Sequence, residues 1–461
     1  MVRLQEASIG PVVFALAAFT ALFASAGVAA GQPAGSVPVY DLSQCIGIAL
    51  DGSRSLAIAG ENTYVARHGV RQAWGAFLPD LSSSYTWQRS ERTDFGYEIR
   101  DPSTGALLST IDLDTQYKDK RLSLNSSFTV FGGFRKFGGL KSARNEQRAA
   151  AADYAYSRQL VIQTVSVAYI NLLRNQRLLE VAQEARDLAG RELEKTETYH
   201  RIGSAARSDV LQAKVRLEQT RLDEIRARNA VAQSFADLAH AMNRPLLDRF
   251  EVDPSLLDAE SDVEQLDVLF AEALQKRPDL QSSAFTLAAR EGDVMTAGSQ
   301  LWPQLNLFGS YSRSENESEF RFGAQESDAV SWGYQVSWNI FDRLQTLSGR
   351  SQAKARQRIA EYNLDQARLD AQLEVRQLYN SLIEARERIS LTRETIANAQ
   401  EQLRLAQERF RVGAGTMLDQ ITAQVNLSQA QSDEVQAISD SVIASLQLER
   451  AVGRPLDRLA R

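Results

Sequence analysis

The stretch SWGYQVSWNIF, residues Ser331–Phe341, alternates strictly between apolar and polar side chains. Its apolar members are Trp332, Tyr334, Val336, Trp338 and Ile340. A period of two is typical of a β-strand with one apolar and one polar face. The residues that follow are rich in Gln, Ala, Arg, Leu and Glu, which is the composition of a long helix. An aromatic, amphipathic strand directly before a very long helix is the feature that decides the fold.

The rest of the chain predicts an exported protein. The chain has 461 residues and a net charge of −6, and it carries no basic run, which argues against a nucleic-acid partner. Residues 1–30 contain Arg3, an apolar run and small residues at the end, the pattern of a signal peptide. A membrane anchor is the alternative interpretation of this segment. Beyond residue 30 no apolar run reaches the length of about 18 residues that a transmembrane helix needs. Cys45 is the only cysteine, so no internal disulfide can form.

The sequence contains an internal duplication. VFGGFRKFGG, from Val130, aligns with IFDRLQTLSG, from Ile340, and the two copies keep this offset of 210 positions to their ends. Upstream, FLPDL, from Phe77, aligns with LWPQL, from Leu301, at an offset of 224. The surplus of 14 residues therefore lies in the first copy, and we expect it to form an exposed loop at about 94–115. The predicted domains are the signal peptide 1–30, a first repeat 31–246 and a second repeat 247–461.

Each copy predicts the same order of elements: two helices, two strands and a long helical hairpin. The strands are expected at about 81–90 and 121–131, and at about 305–313 and 330–341. The long helical hairpins are expected at about 141–243 and 350–453, each broken at a glycine, Gly203 or Gly413. The fold class is therefore mainly α with a β-sheet contributed by four strands per chain.

The apolar positions of the strands agree in phase between the two copies. In the first copy the set is Leu122, Leu124, Phe128 and Val130, which matches the apolar set of the opening stretch. In an exported chain with no second sheet, such strands indicate a transmembrane β-barrel with aromatic girdles and a lipid-facing apolar side. Four strands cannot close a barrel, and open edges are not tolerated in lipid. A trimer would supply twelve strands around a lumen, whereas a dimer would supply eight around plugging side chains. The alternative is a periplasmic structural coiled-coil protein without channel activity, whose sheet packs internally.

Three segments carry a family resemblance. ALQKRPDL, from Ala273, and the paired turns YHRIGSAARSDVLQAK, from Tyr199, and RFRVGAGTMLDQITAQ, from Arg409, resemble the TolC family of outer-membrane efflux and secretion channels. The resemblance implies a homotrimer in the outer membrane, with a 12-stranded β-barrel in contact with lipid and an internally duplicated, long-helix α-barrel extending into the periplasm. It also implies a passive exit duct for small molecules or secreted proteins, reached through a periplasmic adaptor (membrane fusion) protein from an inner-membrane pump.

The resemblance also places a gate at the helical turns. Asp419 matches a family aspartate that lines the constriction, and Asp209 is its counterpart in the first copy. In a trimer each forms a ring of three carboxylates, which attracts cations and repels anions. Thr422 stands where the family often has a second acidic residue, and Arg207 or Arg411 is expected to pair with Asp209. Asp209 could instead be a solvated acid that stabilises the helix N-terminus.

By the same resemblance, the turns form the contact surface for the adaptor. Its residues are Ile202, Gly203, Ser204, Ala205, Val412, Gly413, Ala414, Gly415 and Thr416. The simpler interpretation is that these residues only break the helix. We expect no enzyme, because no set of nucleophile and base and no phosphate-binding loop is present. We also expect no cofactor and no metal site, since the three histidines are scattered singly.

Overall fold

The computed structural model describes residues 38–245, 250–253, 264–318 and 325–456. The predicted signal peptide lies outside the described residues. None of the helices within the described ranges has both the length and the apolar character needed to cross a membrane.

Both copies follow the predicted order of elements. The first comprises α1 Leu42–Gly52, α2 Arg54–Gly75, β2 Asp80–Arg100, β3 Leu107–Gly132, α3 Arg135–Arg201 and α4 Arg207–Ala241. The second comprises α5 Leu266–Lys276, α6 Pro278–Ala297, a 3-10 turn Ser299–Leu301, β5 Gln304–Ser318, β6 Gln325–Ser337, α7 Gln345–Arg411 and α8 Met417–Val452. Two short strands, β1 Val39–Tyr40 and β4 Glu251–Val252, pair in parallel. Helices α3 and α7 have 67 residues each, so each extends about 100 Å at 1.5 Å per residue.

The prediction of a long loop in the first copy was wrong. The ladder between β2 and β3 continues to the pair Arg100 and Leu107, and only residues 101–106 turn the chain. Asp101 closes this turn, because its Oδ1 accepts hydrogen bonds from the backbone N–H of Ser103, at 2.8 Å, and of Thr104, at 3.2 Å. The surplus residues therefore lengthen a hairpin. They can do so because polar residues, although typical of loops, still form ladder hydrogen bonds through their backbone N–H and C=O groups.

The boundaries in the second copy also differ from the prediction. Strand β6 begins at Gln325 and ends at Ser337, so Trp338 and Ile340 lie past its end although both were predicted as strand residues. The chain turns there because Arg343 and Leu344 adopt left-handed conformations, with φ of 55° and 65°. Helix α7 then starts at Gln345, earlier than expected. The equivalent joint of the first copy uses Gly133 and Phe134, with φ of 61° and 69°.

Strands β2, β3, β5 and β6 form one antiparallel sheet in that order. The register pairs Trp332 with Gly309, and Tyr334 with Leu307, which in turn pairs with Phe128. Because paired residues of an antiparallel sheet point to the same side, the predicted apolar positions share one face. That face comprises Leu81, Tyr85, Trp87, Leu122, Leu124, Phe128, Leu305, Leu307, Tyr311, Val330, Trp332, Tyr334 and Val336.

Val130 is an exception to the predicted phase. A β-bulge lies between Thr129 and Phe131, so Phe131 rather than Val130 pairs with Leu305. A bulge inserts one unpaired residue, which shifts the alternation by one position. The residue that continues the apolar row is therefore Phe131.

The two copies are joined along a seam between α3 and α6. The helices approach so closely that a Cβ atom at Gly292 would lie 2.6 Å from the carbonyl oxygen of Gly138 and 2.7 Å from the backbone nitrogen of Ser142. Beside this crossing the hydroxyl of Ser142 donates to Asp293 at 2.8 Å, and Lys141 pairs with Glu291 at 2.7 Å. The seam therefore requires glycine where the two backbones meet.

A buried arginine fixes the junction between α5 and α6. Arg277, in the ALQKRPDL segment, pairs with Asp279 at 2.8 Å and with Glu374 of α7 at 2.6 Å. It also donates to the carbonyl oxygen of Ala451 at 3.1 Å. One planar guanidinium thus connects three helices of the second copy, a geometry that lysine cannot reproduce.

Candidate functional site

The two helical turns have the same backbone geometry. In the first, Gly203 has a φ of 83°, its N–H donates to the carbonyl oxygen of His200 at 3.0 Å, and the N–H of Ser204 donates to Tyr199 at 2.8 Å. In the second, Gly413 has a φ of 76° and the corresponding bonds measure 3.0 and 2.8 Å. This is a Schellman arrangement, which ends a helix and favours glycine at the left-handed position. The sequence prediction that these glycines break the helices is confirmed.

The turns present apolar side chains to solvent. Ile202 is 69% exposed and Val412 is 66% exposed. Around them the other predicted contact residues are exposed, except Ala205 and Gly415, which are half-buried. At Gly415 a Cβ atom would lie 3.0 Å from that of Arg409, so a larger residue would crowd the preceding helix. Each tip is therefore a small, smooth surface with one protruding aliphatic side chain.

Asp419 and Asp209 both cap the helix that follows the turn. One Oδ2 of Asp419 accepts from the backbone N–H and from the hydroxyl of Thr416, both at 2.8 Å, and the Asp419 N–H donates back to the Thr416 hydroxyl at 3.3 Å. These bonds lower the pKa of the Asp419 carboxyl below its ordinary value. Asp209 accepts only from the N–H of Ala206, at 2.9 Å, since alanine offers no hydroxyl. Within one chain both acids thus serve the helix N-terminus, as the simpler interpretation of Asp209 expected.

The arginines near the turns do not pair with Asp209 inside the chain. Arg411 donates from Nε and from a terminal nitrogen to Glu408, at 3.0 and 2.8 Å. Among the described residues no ion pair joins Arg207 or Arg411 to Asp209. The hydroxyl of Thr422 donates to the carbonyl oxygen of Leu418 at 2.8 Å and so bonds within its own helix. Pairing of these arginines between chains stays a prediction.

Contacts between the two hairpins, which the sequence did not reveal, hold the tips side by side. The rings of Tyr199 and Phe410 lie 6.4 Å apart between centroids. Further along, Gln407 donates to Glu192 at 3.1 Å. Helix periodicity gives the faces of single helices but not their partners, and Tyr199 and Phe410 are not equivalent under the repeat, so nothing in the sequence pointed to this contact.

The apolar face of the sheet is uncovered in the single chain. Trp332 is 84% exposed, and Tyr334 and Val336 are also largely exposed. On the opposite face, hydroxyls bond across the ladder, as between Ser310 and Ser331 at 2.7 Å. The described ranges contain no group of three or more His, Cys, Asp or Glu side chains placed to hold a metal ion.

Comparisons with known proteins agree with this architecture. Residues 45–244 and 269–454 match the model of the outer membrane efflux protein family. The chain belongs to this family. It is 24% identical over 373 residues to the outer membrane protein TolC of Vibrio cholerae, covering 78% of this chain and 85% of that protein. It is also 24% identical over 414 residues to the pyoverdine export outer membrane protein OpmQ of Pseudomonas aeruginosa, covering 90% of this chain and 85% of that one.

Solved structures show the same fold. CusC superposes with a TM-score of 0.77 at 19% identity, covering 93% of this chain and 96% of that one. VceC of Vibrio cholerae superposes with a TM-score of 0.75 at 20% identity, covering 90% of this chain and 96% of that one. The duplicated fold, the outer-membrane location and the assignment to efflux proteins are thus confirmed, and the periplasmic coiled-coil alternative is not favoured. The neighbours OprN and CmeC are described as outer-membrane channels, a class of protein distinct from enzymes.

Proposed function

We propose that three copies of this chain join their sheets edge to edge and form one passive duct from the periplasm to the exterior. The observation that carries the proposal is the open sheet, whose edge strands β2 and β6 have no partner on their outer sides within the described chain. An open edge beside an exposed apolar face is not stable in lipid, where every backbone group must be paired. Three copies supply twelve strands, with the apolar face toward lipid and the hydroxyl-rich face toward the lumen.

The packing of the helices supports a second copy at a defined place. In one chain α6 packs against both α3 and α7, whereas its counterpart α2 packs against α3 and makes no comparable contact with α7. Ala289 of α6 is 1% exposed, but its equivalent in α2, Val65, is 66% exposed. Helix α7 shows the same difference, because Ile359 and Tyr362 are exposed although their equivalents in α3, Ala149 and Ala152, are buried. The internal repeat therefore predicts that α2 of one copy covers α7 of the next.

The tips are the proposed contact surface for the periplasmic adaptor, which connects the duct to an inner-membrane pump. Their exposed aliphatic residues, Ile202 and Val412, stand among small residues that allow a helical hairpin to pack closely. The proposed gate lies at the same end, where three copies would bring three Asp419 carboxylates toward one axis. The cargo is small molecules or secreted proteins. A relative named for pyoverdine export and another named for toluene efflux favour the former.

Cysteine cross-linking between the edge strands tests this assembly. We would place one cysteine at Ser84 of β2 and a second, in turn, at Ser327, Ala329 or Ser331 of β6, all on the polar face. Paired strands bring such positions within the Cα separation that a disulfide requires. Cys45 is fully buried and should not interfere. In outer membranes under oxidising conditions, at least one pair should give a covalent trimer on a denaturing gel without reductant.

A matched control keeps the experiment interpretable. Cysteines at Ser310 and Ser331, which face each other within one sheet, should form a disulfide without changing the apparent mass. If the control pair reacts and the edge pairs give only monomers, the copies do not close edge to edge. A ladder that stops at two chains would instead support an eight-stranded dimer.

A further inference from the structure

A polar crevice lies between the two helical hairpins, above the tips. It is enclosed by α3, α4 and α8, has a volume of about 370 Å³, and is lined by residues that include Arg216, Gln424, Arg191 and Glu184. Arg216 is the tenth residue of α4, so the crevice lies about 14 Å from the start of that helix at 1.5 Å per residue. A second cavity also contains Arg216 in its wall, together with Ala185 and Ser428, which line the first as well. The arginine side chain thus lies between two hollows of one crevice.

Arg216 differs from Arg186 and Arg221 in that no ion pair joins it to an acid. Its Nε is buried without a hydrogen-bond partner, and no ion pair joins its guanidinium to any described residue. By contrast, Arg186, which precedes the crevice residue Asp187, forms ion pairs with Glu224 at 2.7 Å and with Asp187 at 2.6 Å. Burial lowers the pKa of Arg216, an effect that the nearby charge of Asp223 only partly opposes. A half-buried cation without a partner is unfavourable unless something compensates its charge.

A second residue that lines this crevice also has an unpaired donor. Gln424 of α8 is only 5% exposed, and its Nε2 makes no hydrogen bond in the structure. Buried amide groups are normally satisfied by protein, water or a ligand. Arg216 and Gln424 thus line one crevice from two different hairpins, and each has an N–H group without a hydrogen-bond partner. A crevice lined by two residues with unpaired donors, one of them charged, suits an acceptor with negative charge.

We propose that this crevice binds a small anion, such as a halide or a compact oxyanion, between Arg216 and Gln424. The volume is ample for such an ion with its remaining water. The nearby acids do not fill this role, because Asp187 pairs with Arg186 at 2.6 Å, Asp223 pairs with Arg226 at 3.2 Å, and Glu184 is exposed. The bound anion neutralises the Arg216 guanidinium and bridges α4 of the first hairpin to α8 of the second.

Bromide is the probe for this site, because its anomalous scattering identifies it in a crystal. We expect crystals of the full-length protein grown with sodium bromide to show an anomalous peak within hydrogen-bond distance of Arg216. The peak should disappear in Arg216→Gln. An empty or water-filled crevice in the wild-type protein would overturn the proposal. So would a carboxylate of a neighbouring copy in contact with Arg216.

Thermal unfolding of the detergent-solubilised protein provides an independent readout. Replacing fluoride by bromide at constant ionic strength should raise the midpoint for the wild type and leave Arg216→Gln unchanged. Arg221→Gln is the matched control, since it removes the same charge from the same helix at an exposed pair with Glu218. It should retain the bromide effect, and Gln424→Leu should reduce it. Equal bromide shifts in all variants would mean that the ion acts on the general surface, and would refute the site.

Discussion

The seam between α3 and α6 allows a sharp test of the packing between the two copies. Replacing Gly292 by alanine places a methyl group 2.6 Å from the Gly138 carbonyl oxygen and 2.7 Å from the backbone nitrogen of Ser142. Both obstacles are backbone atoms, so no side chain can move away. Ordinary contacts need about 3.5 Å, and the helices must therefore separate by roughly 1 Å along their crossing.

The expected cost follows from two opposing terms. Overpacking of this kind costs about 3 kcal/mol at the upper end of its usual range, and the better helix propensity of alanine returns about 1 kcal/mol. We expect Gly292→Ala to destabilise each chain by about 2 kcal/mol and to lower the thermal midpoint by a few degrees in detergent. Gly139→Ala is the control, because a Cβ at Gly139 meets no atom within 4 Å, and this variant should be as stable as the wild type or more so. The reasoning is refuted if the two variants melt together.

Four further predictions concern the sheet, the tips and the buried arginine. Val336→Arg should block assembly in outer membranes, since a charge on the lipid face costs about 2–4 kcal/mol near the midplane. The control Gln335→Arg, on the polar face, should still assemble. Equal trimer yields of the two variants on a gel would contradict the prediction. Asp419→Asn should weaken cation selectivity in planar bilayers, and unchanged selectivity in dilute salt would place the constriction elsewhere. The pKa of Asp419 is lowered in the folded state, so the carboxylate stabilises the protein above its unfolded pKa near 3.8, and this contribution is lost as the pH falls further. Between pH 6 and pH 3 the melting midpoint of the wild type should therefore fall more than that of Asp419→Asn. Arg277→Met should destabilise the protein by about 1–3 kcal/mol, because the buried Ala451 carbonyl loses a hydrogen-bond donor while Glu374 keeps Arg450 as a partner. A melting midpoint like that of the wild type would contradict this.

Much of the fold could be predicted because each signal had a local cause. The period of two placed Trp332 and Tyr334 on the apolar face, and glycine at a left-handed position ended the long helices at Gly203 and Gly413. The duplication supplied the order of elements, since an equivalent segment had to fold equivalently. These features depend on neighbours along the chain, which a sequence displays directly.

The remaining features depended on contacts between distant segments. The long hairpin was missed because the residues beyond Arg89 have strand geometry only through pairing across the ladder. Val130 was placed on the wrong row because nothing in the alternation marks a bulge. At the tips, the capping role of Asp209 was one of its two predicted interpretations, but the capping role of Asp419 and the partner of Arg411 were not predicted. Glu408 lies three residues before Arg411 on the same helix and competes for it locally, whereas Asp209 belongs to a different hairpin.

The joints between sheet and helices have a consequence for the order in which we expect the chain to fold. At each joint two successive residues have positive φ, and three of the four, Phe134, Arg343 and Leu344, are not glycine. A left-handed conformation costs such a residue about 1–2 kcal/mol, and it persists only where surrounding structure enforces it. A newly exported chain lacks that enforcement, so the hairpins and the strands are free to form first, with their mutual angle undefined. We expect the bend between them to be set late, when strand and helix are each already packed, and the elongated shape of the molecule to be among the last properties it acquires.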